Sequence, residues 1–211
     1  RKLSPSEYTL FPQLGFISLN TSLAPNEVLA VSYQYTLNGE IFQVGDLSKD
    51  IPTPDSSSTA PSRLLFLKML KGSSVRPNLP VWDLMMKNVY SLGAYQIQNQ
   101  NFRFNIFYND PGGGQKRYMP KGNIQTKQII TVMGLDNLNN QNDPQPDGLF
   151  DFIPGVTINA ANGRIYFPVL EPFGSHLEQE MIKAGDGALA PTYVYHQLYD
   201  STQVVASQFP E

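Results

Sequence analysis

The stretch VLAVSYQYTLNGEIFQV, residues 28 to 44, decides the fold class. Leu29, Val31, Tyr33, Tyr35 and Leu37 alternate with Ala30, Ser32, Gln34 and Thr36, the period of a half-buried strand. Asn38-Gly39 then supplies two residues that tolerate the positive φ of a type I′ turn, and Ile41-Phe42-Gln43-Val44 leads back. The expectation is a β-hairpin. Before it, Leu14 to Leu19 reads as a shorter strand. After it, Ile51 to Ser62 is rich in Pro, Ser and Thr with no apolar face, and reads as an exposed loop.

Further strands are expected at Leu64 to Leu70, where Leu65, Leu67 and Met69 oppose Lys68, and at Asn101 to Tyr108, where Phe102, Phe104, Ile106 and Tyr108 share a face. Others are expected at Gln128 to Met133, Thr157 to Ile158, Arg164 to Leu170 and Thr192 to Tyr195. Trp82, Met85, Met86, Val89 and Tyr90 recur at helical spacing, with Pro80 ahead, Asp83 in the first turn and Gly93 closing. That pattern predicts a helix whose Met and aromatic stripe packs in the core. The fold class expected is mainly β, antiparallel and sandwich-like, with one or two short helices. No repeat and no linker stands out, so residues 1 to 211 read as one domain.

Composition narrows the function. Hydrophobic residues make up 41% and charged residues 16% of the 211, with a net charge of −3, which describes a folded chain and not a disordered one. The 17 Pro, 16 Gly, 11 Tyr and 12 Phe suit short strands joined by turns. Lys and Arg are scattered singly, so the basic stripe that nucleic acid requires is missing. There is no cysteine for a disulfide or a thiolate metal site. No apolar run is long enough for a transmembrane helix. The chain opens Arg1-Lys2-Leu3 and reads as a segment of something longer.

The densest polar stretch is DNLNNQNDPQPDGLFD, residues 136 to 151. No Lys or Arg occurs from Gln128 through Gly163 to neutralise its carboxylates. Oxygen-rich loops of this kind suit calcium, which accepts six to eight oxygens in forgiving geometry, so Asp136, Asp143, Asp147 and Asp151 are candidate ligands and calcium the candidate cofactor. The spacing does not match an EF-hand. The plainer alternative is a long connection made of Asn, Pro and Asp.

Other constellations carry less. Asp110-Pro111-Gly112-Gly113-Gly114 lacks the Gly-Lys-Ser/Thr ending of a phosphate-binding loop and reads as a turn after a strand. His176 and His196 are the two histidines. His176 adjoins Ser175 and lies near Glu171, but neighbours in sequence cannot form a triad, because the base must approach the nucleophile from elsewhere in the fold. No nucleophile elbow or zinc-binding helix motif is present, so no catalytic residues are assigned and the expectation is a non-enzyme.

Several long strings resemble one family. They are RKLSPSEYTLFPQLGFISLN (1 to 20), LAVSYQYTLNG (29 to 39), LFLKML (65 to 70), WDLMMKNVYSLGAY (82 to 95), DPGGG (110 to 114), DPQPDGLFDF (143 to 152) and GRIYFPVLEPFGSHL (163 to 177). They look like the SprA/Sov family, the giant outer-membrane translocon of type IX secretion and gliding motility in the Bacteroidetes. The resemblance implies a β-barrel pore with extramembrane insertions, gated by a porin-like outer-membrane shuttle protein and a periplasmic plug protein, and it implies no catalytic residues. A barrel wall needs repeated alternating strands of about nine to eleven residues, and only Val28 to Leu37 reaches that length.

The chain therefore reads as an extramembrane module of an outer-membrane protein that encloses or gates the conduit or docks partners. Those partners would be other parts of the parent barrel, the shuttle and plug proteins, and secreted substrates. The residues leave open the extracellular face or the periplasm, with the former favoured. A different class stays beside this reading: a calcium-dependent carbohydrate-binding β-sandwich of a surface protein. Trp82, the sole Trp, on an expected core face weakens it.

Overall fold

The computed structural model describes residues 1–12, 14–47, 64–110 and 112–208, so the Ile51 to Ser62 loop expected from the sequence lies outside the described residues. The chain divides into two compact units, Arg1–Met85 and Met86–Glu211, where the sequence shows no linker. The class is mainly β, with strands in small antiparallel sheets and short helices between them.

In the first unit, β1 (Tyr8–Phe11) pairs with β2 (Phe16–Leu19), and Phe11 stacks on Phe16 at 4.4 Å beside the turn. The alternating run beginning at Val28 is split at Ser32. Its first part, β3 (Leu29–Val31), pairs with β6 (Lys68–Lys71). Its second, β4 (Tyr33–Leu37), pairs with β5 (Glu40–Val44), with Leu37 opposite Glu40. Asn38 and Gly39 take φ of 52° and 86°, the left-handed pair that a type I′ turn demands.

The predicted helix from Trp82 to Tyr90 is corrected. Pro80–Trp82 forms one 3₁₀ turn, and Val89–Ser91 is strand β7. A nine-residue helical pattern is marginal in water, so tertiary partners decide its conformation. Here the partner is the segment around Arg164–Tyr166: Phe167 N–H donates to the Asn88 carbonyl at 3.0 Å, and Asn88 Nδ2 donates to the Phe167 carbonyl at 2.8 Å. Of the expected core stripe, Trp82 is buried and Tyr90 packs against a core, whereas Met85 is exposed.

The second unit holds the large core. A three-stranded sheet places β11 (Arg164–Tyr166) between β7 and β10 (Ile158–Asn159), so strands form within or beside the expected Arg164 to Leu170 and Thr157 to Ile158, while β7 replaces expected helix. Met133, Leu135, Ile158, Ile165 and Met181 have no exposed surface. β8 (Tyr108–Asp110) pairs with β9 (Gly114–Lys116), so the glycine run is a hairpin turn, closed by Lys116 Nζ on Asp110 Oδ2 at 2.5 Å.

Two further strands expected from sequence are helical. Gln128 to Met133 contains α1 (Ile129–Val132), and Thr192 to Tyr195 overlaps α3 (Ala190–Tyr193). A short apolar run buries equally well in either form, and its flanking residues decide between them. Gly134 at φ 71° closes α1 in a Schellman cap, with Gly134 N–H on the Thr131 carbonyl and Leu135 N–H on that of Ile130. Pro191 in the first turn suits α3.

The longest helix, α2 (Leu177–Lys183), ends in a second such cap at Gly185. With α4 (Gln197–Asp200) and α5 (Gln203–Ala206), the short helices number five among the described residues, more than the one or two expected. Each is too brief to show a helical period.

Candidate functional site

The acidic connection folds around Asp136, which the Schellman cap of α1 delivers into the interior with no exposed surface. Its Oδ2 accepts from Thr131 Oγ1 at 2.5 Å, and its Oδ1 accepts from the Asp147 and Gly148 N–H groups at 2.9 and 3.2 Å. Gly148 sits at φ 81°, which favours glycine, and a Cβ there would push aside only the flexible amide end of Gln128.

The other three carboxylates serve the same loop. Asp151 Oδ2 accepts from Asn137 N–H at 2.6 Å and from Leu138 N–H at 3.3 Å. Burial pushes its carboxyl above the usual range, against the pull of those two N–H groups, and the charges of Asp136 and Asp147 add to the rise. Asp147 Oδ1 accepts from Leu149 N–H at 3.0 Å, and Asp143 Oδ2 accepts from Asn139 Nδ2 at 3.3 Å.

The four candidate calcium ligands each accept main-chain, amide or hydroxyl donors of the connection and of Thr131, as short Asp side chains commonly do. Among the described residues no three His, Cys, Asp or Glu side chains converge to hold a metal.

The two histidines are apart. His176 Nε2 lies 2.8 Å from the Val132 carbonyl, a bond in which the ring nitrogen donates. Glu171 precedes the irregular turn Pro172–His176, in which Gly174 lies against the ring of buried Tyr199. His196 Nε2 is 3.3 Å from Glu178 Oε2 at the surface.

Two clefts flank the acidic connection. One, of about 220 Å³, runs between residues 99–105 and 138–153 and is lined by asparagines over phenylalanine rings. The other, of about 480 Å³, is bounded by Tyr118, Gln128, Thr131, Asp136 and Pro146. Sequence reading missed the asparagine-lined cleft, although Asn99, Asn101, Asn139, Asn140 and Asn142 form two visible Asn-rich runs.

The first unit presents a different surface. Its described residues include only Ser18 and Trp82 as buried positions. On the β4–β5 hairpin Tyr33 and Tyr35 are each 45% exposed, Leu37 55% and Ile41 72%, and Tyr35 stacks on Phe42 at 5.2 Å. Glu40 is the one charged residue from Tyr33 to Val44, so the edges carry none of the lysines or prolines that keep free strands apart. Leu64 to Leu67 are exposed as well.

No family model matches the chain, and no curated protein matches it significantly.

Proposed function

We propose that the chain is a non-catalytic extramembrane module of an outer-membrane protein-secretion translocon, of the kind that serves type IX secretion and gliding motility. In this reading it helps to enclose or gate the conduit or to dock partner proteins. The observation that carries the reading is the contrast in burial. The second unit has a closed core, whereas the first exposes apolar and aromatic side chains over two hairpins and buries only Ser18 and Trp82 among its described residues. A surface of that kind is made to be covered by protein.

Strand length supports an extramembrane position over barrel wall. The longest described strands are β4 and β5, of 5 residues each, against the roughly nine to eleven of a membrane strand. No described helix is long and apolar enough to cross a membrane. The resemblance of residues 82 to 95 and 163 to 177 to the SprA/Sov family supplies the machine. Covering partners would be other parts of the parent barrel, the porin-like shuttle protein, the periplasmic plug protein or secreted substrates.

Excising the segment from its parent outer-membrane protein is the test. Loss of secretion with the barrel still assembled is the expected outcome; unchanged secretion would overturn the reading.

A further inference from the structure

From Phe102 to Phe107 the chain has no turn, bend or helix, yet belongs to no sheet. Asn101 turns it at φ 62°, and β8 begins only at Tyr108. Phe102, Phe104 and Ile106 pack against the core, the two-residue period of an extended chain. Phe102 meets the edges of Phe150 and Phe152 at 5.8 and 5.4 Å, and Phe104 meets Phe150 at 5.2 Å. The strip is therefore anchored like a strand.

Its main chain is not used like one. Among the described residues no hydrogen bond engages the N–H groups of Arg103, Phe104, Asn105 or Ile106. β9 ends at Lys116 and does not run on along the strip, because the Arg117 carbonyl accepts instead from Ile129 N–H at 2.8 Å. Main-chain donors held rigidly without partners are a template for another strand.

The asparagine-lined cleft lies against this strip. Arg103, Phe104 and Asn105 form one wall, and Asn139, Asn140 and Asn142 stand in the other. An amide side chain both donates and accepts, which matches the alternating groups of a peptide backbone. The volume, about 220 Å³, falls below the roughly 300–1,000 Å³ of drug-sized ligand pockets and suits a narrow chain better than a bulky cofactor.

We propose that this cleft binds an extended polypeptide segment of a partner protein, added as a strand along Arg103–Ile106. Along one edge of an extended chain the N–H donors of alternate residues repeat at about 6.6 Å, twice the strand rise, a spacing that another extended main chain matches and sugar hydroxyls do not. The inference stands on the cleft alone, so it survives if the translocon reading falls.

The test mixes the 211-residue chain with a pool of decapeptides that alternate Val or Thr with Ser or Gln. A matched pool is N-methylated at every second residue. Exchange of alternate amides within Arg103–Ile106, those on the edge that pairs, should slow about tenfold or more with the first pool and not with the second. Asn105→Pro removes an N–H that the fold does not use. It should abolish the slowing while exchange at Leu135 in the core stays unchanged. Asn140→Ala, on the opposite wall, should weaken the slowing and serves if the proline variant unfolds. No slowing with the first pool, or equal slowing with both pools, overturns the proposal. So does protection that rises with protein concentration in the absence of peptide, which would assign the lane to a second copy.

Discussion

Replacing Asp136 by Ala tests how the acidic connection is held. The substitution removes the acceptor for the Thr131 hydroxyl and for the Asp147 and Gly148 N–H groups at a position with no exposed surface. A buried donor left without a partner costs about 1–3 kcal/mol. Asp147 is exposed and its N–H regains water, whereas Gly148 and Thr131 are half-buried, so the expected loss is about 2–4 kcal/mol. The chain has two compact units and its sole Trp lies in the first, so Trp fluorescence would miss the effect. Exchange of the Leu135 amide, bonded to the Ile130 carbonyl in the core, reports opening of the second unit. It should accelerate on the order of 30- to 1,000-fold, at tenfold per 1.4 kcal/mol. Asp136→Asn keeps the shape and one acceptor oxygen and should cost about 1 kcal/mol. Exchange in Asp136→Ala within about threefold of the parent chain would refute the idea that this carboxylate organises the loop.

Three other outcomes rest on the same geometry. Calcium should leave the melting temperature and Leu135 exchange unchanged, because no three carboxylates converge among the described residues; a calcium-dependent shift removed by chelator would establish the calcium site at the acidic connection. Gly163→Ala should destabilise the second unit by about 2–4 kcal/mol in denaturant unfolding monitored by exchange, since φ is 61° and the new Cβ would run into the Ala94 carbonyl oxygen. The Glu7 carboxyl, bonded to the Arg1 guanidinium and to the Ser4 N–H, is held down at about 2. A depressed carboxylate stabilises the fold above its ordinary value near 4.5, and that contribution is lost as pH falls through about 2. An NMR titration should find that midpoint, and Arg1→Ala should return it toward 4.5.

The hairpin at Asn38-Gly39 was readable because its turn chemistry is local: two residues that tolerate left-handed φ lie between alternating runs. The strand at Val89–Ser91 was not. Its conformation is set by Arg164–Tyr166, far away in sequence, and that pairing overrides a helical period only nine residues long. The helices at Ile129–Val132 and Leu177–Lys183 left one legible sign, a glycine just past each end at Gly134 and Gly185. Asp136 was legible as a candidate but not in its role, because sequence displays a carboxylate without the main-chain donors that claim it. The strip from Arg103 to Ile106 reads as a strand, and nothing in a sequence tells whether a strand has a neighbour.

The central claim is that the exposed first-unit hairpin docks this module into a secretion machine. Leu37→Lys with Ile41→Lys places charge on both faces of the hairpin at positions 55% and 72% exposed, where substitutions change stability by about 0.5 kcal/mol or less. Introduced into the parent outer-membrane protein, the pair should reduce export of secreted substrates about tenfold or more while the barrel assembles at normal level, since a buried apolar contact would then have to bury two ammonium groups. Normal export by an assembled double variant would contradict the account.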